Sequence, residues 1–306
     1  MDNKKLLTNR KMVVLIASIC CILWGSAYPG VKSGYALFKI AQNDVFSELS
    51  FAGYRFAIAG IMVLIIPLIH GKNIFSLTKK NIGQVVMLGL TMTTFQYIFF
   101  YIGLANTTGI KGSIMNATST FFSVILAHFL YADDKVDAKK AIGCLLGFIG
   151  VFIINFSSKL LNFNFNILGD GFIIMAAFIF SASSIYSKKL SETIDVILVT
   201  GYQLLIGGIF LIIIGTFNKG YITNFTLPST MILLYLALLS AVAFSLWTLL
   251  LKYNKVSSIS IFNFIIPISG AILSSIFLGE RILDLKNAAA LILVCIGIYI
   301  VNSNSK

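Results

Sequence analysis

The chain has 306 residues, 58% hydrophobic and only 11% charged, with a net charge of +12. A soluble domain of this length needs a larger solvated surface, so the composition excludes one and points to a polytopic membrane protein. The charge balance first has to be read as membrane topology, before any nucleic-acid partner is invoked.

A membrane helix needs roughly 20 mostly apolar residues. Ten stretches meet that rule: 12–34, 48–70, 82–105, 109–131, 139–156, 169–187, 196–217, 229–251, 257–279 and 287–302. Ahead of the first, Lys4, Lys5, Arg10 and Lys11 resemble the start of a signal peptide. No small-x-small cleavage site follows, so this segment is read as a retained first span. With the N-terminus inside, Lys and Arg are more than twice as frequent on the inner side as on the outer. That places both termini in the cytoplasm of a prokaryotic plasma membrane, and the basic balance signals orientation, not nucleic acid. Cys20, Cys21, Cys144 and Cys295 all lie in apolar runs without metal-ligand spacing and read as packing residues.

The chain repeats itself. FAGYRFAIAGIMVLIIP (51–67) aligns with VTGYQLLIGGIFLIIIG (199–215), and GFIGVFIIN (147–155) with VCIGIYIVN (294–302). The halves are 1–156 and 157–306, with five spans each. An odd number forces the second half to enter the membrane the other way up. The expected fold is therefore all-α, with ten transmembrane helices in two inverted five-helix repeats around a central cavity.

The most informative stretch runs from Ser257 to Arg281. Pro267 lacks an N–H, so the Asn263 carbonyl loses its helical partner. Such a break at membrane depth is tolerated only where protein or a wet cavity covers it. The repeat-related stretch places Asn116 opposite Asn263, Thr120 opposite Pro267 and Asp133 opposite Glu280. Asn116, Thr120 and Ser123 share one helical face, and Asn263, Pro267 and Gly270 repeat the spacing. Interhelical hydrogen bonding is the plainer role for these residues, and a cavity lining is the sharper one. Trp24, Tyr28, Gln96, Tyr97, Tyr101, Phe244 and Trp247 are further candidate walls, with interface anchoring as the alternative for the aromatic ones. Pro29 serves as a hinge or a static kink.

Arg55 lies inside span two, where an unpaired charge costs several kcal/mol. Either it is structural, paired with Glu48 or snorkelling outward, or it meets a substrate carboxylate. Gln203 occupies the matching place in span seven. Lys32, at the outer end of span one, reads as a snorkelling residue. Gly143, Gly147 and Gly150 form a small-residue face on span five.

The absences matter as much. All eleven Asp and Glu residues fall outside the spans or at their ends, and there is no HExxH and no phosphate-cradling loop. His70 and His128 have no ligand partners at metal spacing. No catalytic residue, metal or cofactor is expected, and a proton exchanger built on a mid-membrane carboxylate is disfavoured. A lipid-modifying membrane enzyme would have to use Asp133, Asp134 and Asp137 beside Lys135, which read as a solvated loop run.

At WGSAYPGVK, the Arg55-Phe56 pair, the run ending in LYADDK and the run ending in FLGERI, the chain resembles the ten-helix EamA branch of the drug/metabolite transporter superfamily. The resemblance implies a cavity lined by spans one, three, four, six, eight and nine, with five and ten peripheral. It also implies that Trp24, Lys32, Arg55 and Glu280 match common family positions. The function expected is a secondary transporter that exports amino acids or similar small amphipathic metabolites by alternating access. Export of other metabolites or drugs, a passive channel and the lipid-modifying enzyme are the alternatives. Partners are then a small-molecule substrate and the lipid bilayer, with both monomer and homodimer open.

Overall fold

The computed structural model describes residues 3–41, 44–71, 73–107, 109–155, 165–278 and 285–302. These residues form helices and short connections, with no strand among them. Glu280 lies outside the described residues. After a short lead-in helix, Asn3–Thr8, the long helices are α1 (Arg10–Phe38), α2 (Val45–Ile69), α3 (Lys79–Ala105), α4 (Lys111–Leu130), α5 (Ala138–Asn155), α6 (Ile167–Ser191), α7 (Val196–Phe217), α8 (Leu227–Tyr253), α9 (Val256–Phe277) and α10 (Leu285–Asn302). Among the described residues, eight of them are long and apolar enough to cross a membrane; α5 and α10, at 18 residues each, are the shorter pair. Leu15, Ile66, Met87, Leu238 and Ile292 stand exposed on the outer surface. A soluble protein could not sustain so broad an apolar exterior, but lipid covers it without cost.

The helix starts are specified locally. The Asn9, Asp44, Thr78 and Asp195 side chains each accept a backbone N–H from the first turn of the helix that follows. Thr226 and Ser229 cap each other at the start of α8, with proline in its first turn. Pro29 is buried inside α1, which stays helical from end to end.

Other helices do break. α9 tightens into a 3₁₀ turn at Ile261–Phe264, just ahead of Pro267, as the missing proline N–H demands. α4 is interrupted at Thr118, between Gly109–Ala117 and Ser119–Leu130. No proline marks that site. α3 widens into a π-helical stretch at Gly89–Phe95, and α6 opens with another at Ile167–Gly171.

Close packing depends on glycine at two crossings. Where α2 meets α7, a methyl group on Gly53 would lie 2.8 Å from the Gly208 carbonyl oxygen, and one on Gly60 2.7 Å from that of Gly201. Where α5 meets α10, Gly143 faces the Gly297 carbonyl at 2.8 Å and Gly150 that of Ala290 at 2.9 Å. Only a residue without a side chain lets backbones approach so closely. The small-residue face of span five thus packs within the chain, with Gly147 against the Phe264 ring.

Candidate functional site

The four broken helices, together with α1, α2 and α8, surround a cavity of about 320 Å³. Among the described residues its lining comes from α1, α2, α3, α4, α6, α8 and α9, and none of it from α5, α7 or α10. The contributing residues sit in the second half of α1 (Trp24, Tyr28, Val31, Lys32, Tyr35), the last third of α3 (Gln96, Tyr97, Phe100, Tyr101, Leu104) and the first half of α4 (Asn116, Ser119). Most of the lining therefore lies in the half of the bundle remote from the N-terminus, and Phe244 and Asn263 carry it to the middle. Trp24 forms its floor, packing edge-on against Trp247 at 5.1 Å, Phe244 at 5.3 Å and Phe180 at 6.3 Å.

Of the residues singled out from sequence, Trp24, Tyr28, Arg55, Gln96, Tyr97, Tyr101, Asn116 and Asn263 come together on the lining, with Lys32 and Phe244. Thr120, Ser123, Pro267 and Trp247 are not on it. Past the interruption at Thr118, Thr120 does not continue the Asn116 face. Thr120 instead donates to the Ser260 carbonyl at 3.3 Å, and Ser181 donates to the Ser119 carbonyl at 2.7 Å. Backbone groups at the break thus gain partners from α6, while α9 is tied in beside its own 3₁₀ turn.

Asn263 is only 5% exposed, and neither its Oδ1 nor its Nδ2 has a hydrogen-bond partner. A buried amide left so is costly unless something in the cavity meets it. Arg55 is 4% exposed. Its Nε donates to Ser240 Oγ at 2.8 Å and its guanidinium lies 5.0 Å from the Phe56 ring centroid. It makes no ion pair with Glu48 or any other described carboxylate. Gln203, its counterpart in sequence, donates to Thr93 Oγ1 at 3.0 Å and stays behind the lining.

The side nearest the N-terminus is sealed by polar contacts. Asp134, 1% exposed, accepts from Lys140 Nζ at 2.6 Å and from the Ser257 backbone N–H at 3.0 Å, and also from the Ser257 hydroxyl. Burial pushes its carboxyl up, but the Lys140 and Ser257 hydrogen bonds outweigh that and hold it below the usual carboxylate range. This corrects the expectation of a solvated loop run at Asp134. Beside it, Lys188 Nζ donates to the Asn254 carbonyl at 2.6 Å, and Asn254 Nδ2 donates to the Leu7 carbonyl of the lead-in helix at 2.9 Å. At the opposite side Asp170 accepts from Thr107 Oγ1 at 2.6 Å and lies 3.5 Å from Lys111 Nζ, joining the start of α6 to that of α4. Its burial carried no periodic signal in the sequence. Phe180 carries no distinguishing signal in the sequence either, although it stands in α6 as Trp24 stands in α1 and lines the cavity.

Comparison with known proteins agrees with this architecture. A solved crystal structure superposes with a TM-score of 0.77 at 15% identity, covering 95% of this chain and 96% of its own, which speaks to the fold alone. The uncharacterized transporter YvbV of Bacillus subtilis (strain 168) is 26% identical over 296 residues, 95% of this chain and 92% of its own length. An uncharacterized transporter of Haemophilus influenzae is 29% identical, with 89% and 91% covered. A WAT1-related chloroplastic protein of Arabidopsis thaliana is 24% identical over 82% of this chain and 62% of its own. The EamA-like transporter family matches residues 11–156 and again 167–303. With a multi-pass helical body, a cavity enclosed by broken helices and a family match over both stretches, the chain belongs to the EamA-like transporter family.

Proposed function

We propose that this protein is a secondary transporter exporting amino acids or similar small amphipathic metabolites across the plasma membrane by alternating access. The observation that carries the proposal is a cavity lined mainly in one half of the bundle, with the buried Asp134 and Lys188 contacts across the other. A cavity of about 320 Å³ is at the small end of ligand sites, which span ~300–1,000 Å³. It suits a metabolite better than a lipid.

The ten-helix, inverted-repeat arrangement is part of this reading, and the packing supports it. The Gly53–Gly208 contact has its mirror in Gly60–Gly201, and Gly143–Gly297 has its mirror in Gly150–Ala290. The polar pair Arg55–Ser240 likewise has its counterpart in Gln203–Thr93. Contacts that recur with the halves exchanged are what a two-fold axis in the membrane plane produces. In this reading α5 and α10 also cross the membrane, 1–156 and 157–306 are the two repeats, and both termini are cytoplasmic. The cavity then faces outward, and the Asp134 and Lys188 contacts close the inner side.

Within the cavity, Arg55, Asn116, Asn263 and Gln96 contact the substrate's polar groups, and Trp24, Tyr28, Tyr97 and Tyr101 its apolar body. Thr120, Ser123, Pro267 and Trp247 support them from behind the lining. One chain encloses the whole site, so a monomer suffices as the working unit. Export of other metabolites or drugs would use the same cavity, and a substrate panel separates the cases. The test is solute counterflow in proteoliposomes with Arg55→Gln, Asn116→Ala and Asn263→Ala beside wild type. Saturable counterflow that all three variants impair is the expected result; wild-type rates in all three would remove the site assignment.

A further inference from the structure

Within the range of metabolites proposed above, the lining itself discriminates by charge. Arg55 is buried, and its one hydrogen bond uses Nε. The two terminal nitrogens of the guanidinium fork have no hydrogen-bond partner among the described residues, and a fork of that shape matches a carboxylate bidentately. Among the described residues that line the cavity there is no Asp or Glu. A buried cation with no counter-charge among the described residues favours a ligand that brings the missing negative charge. A zwitterion supplies that carboxylate but also carries an ammonium group, which would find no acid to receive it.

Two further features describe the rest of the ligand. Asn263 presents a donor and an acceptor, both without partners. Trp24, Tyr28, Tyr97, Tyr101, Phe180 and Phe244 make the walls largely aromatic, and ring faces and edges pack best against another planar ring.

We propose that the preferred ligand is a monoanionic aromatic carboxylate, its carboxylate on Arg55 and a second polar group, where present, on Asn263, and that a zwitterion of the same size is held more weakly. The inference rests on the transport reading only in calling that ligand the substrate.

Three compounds share one skeleton and differ in charge: 3-phenylpropionate, phenylalanine and phenethylamine. Their affinities for the purified full-length protein in detergent are measured by calorimetry. The expected order is 3-phenylpropionate, then phenylalanine weaker by about tenfold, ~1.4 kcal/mol, with phenethylamine weakest. Arg55→Gln should abolish the preference for the anion, and Arg55→Lys, which keeps the charge and loses the fork, should preserve the order at reduced affinity. Phenylalanine binding as tightly as the anion, an order that survives in folded Arg55→Gln, or no binding of any of the three overturns the inference. Proteoliposome flux is scored separately. Transport of phenylalanine without preference for the anion defeats this inference and leaves the transport reading standing, whereas anion binding without flux does the reverse.

Discussion

Asp134 accepts the backbone N–H of Ser257 at 3.0 Å, joining the loop after α4 to the first turn of α9. The same carboxylate holds Lys140 at 2.6 Å. One side chain thus ties three elements together on the side where the cavity is closed.

Replacing it with Asn leaves the Lys140 ammonium, itself 7% exposed, without its counter-charge. Loss of one partner from a buried pair costs about 3 kcal/mol. Because the Asp134 carboxyl is held below its ordinary value, its stabilisation is present in full above that value and is lost as pH falls through the lowered one. The gap in thermal stability between wild type and Asp134→Asn should therefore be constant from pH 8 to 5 and close only below about pH 4. Melting curves in detergent across that range check it; a gap that closes near neutrality would mean the carboxyl is not held as described.

Much of this was legible in the chain. Strong apolar runs mark the helices, and Asn116 and Asn263, matched across the two halves, both stand on the cavity lining. The break at Thr118 was not legible. No proline stands there, and it is held by tertiary contacts, Thr120 to Ser260 and Ser181 to Ser119. The burial of Asp134 is hidden for a similar reason: a loop charge looks the same in sequence whether water or Ser257 meets it. The partner of Arg55, Ser240, lies in the other half of the chain, beyond any local pattern.

The glycine crossings make a sharp contrast. On Gly208 an added methyl would meet the Ala57 backbone nitrogen and lie 2.8 Å from the Gly53 carbonyl oxygen. Backbone cannot step aside, so Gly208→Ala should cost about 1–3 kcal/mol. Gly83, in the first turns of α3, has nothing within 4 Å of such a methyl. There Gly→Ala should be neutral or stabilise by about 0.5–1 kcal/mol through helix propensity. Thermal unfolding of the two variants side by side is the measurement, and equal shifts would contradict the α2–α7 contact.

Asn116 and Thr120 lie one helical turn apart in sequence, yet only Asn116 faces the cavity. Its side chain has no hydrogen-bond partner among the described residues, whereas Thr120 donates to Ser260. Asn116→Ala should raise the KM for the transported solute by about tenfold, ~1.4 kcal/mol, with little change in melting temperature. Thr120→Val should do the opposite, lowering stability by about 1 kcal/mol and moving KM less. Flux kinetics and melting curves on both variants would show whether binding and support divide at the α4 break.

The proposed inverted repeat predicts opposite sidedness for corresponding loops. Ala41 follows α1 and Thr193 follows α6, and both are exposed. If α1 and α6 run in opposite directions through the membrane, these two positions face opposite compartments. In a background with Cys20, Cys21, Cys144 and Cys295 replaced, Ala41→Cys should react with an impermeant maleimide added outside intact cells. Thr193→Cys should react only after the membrane is opened. The excess of Lys and Arg on the N-terminal side sets which of the two is external. Labelling of both from the same side would leave the glycine contacts without a symmetry to explain them, and would remove the two-repeat basis for a cavity that opens alternately to either face.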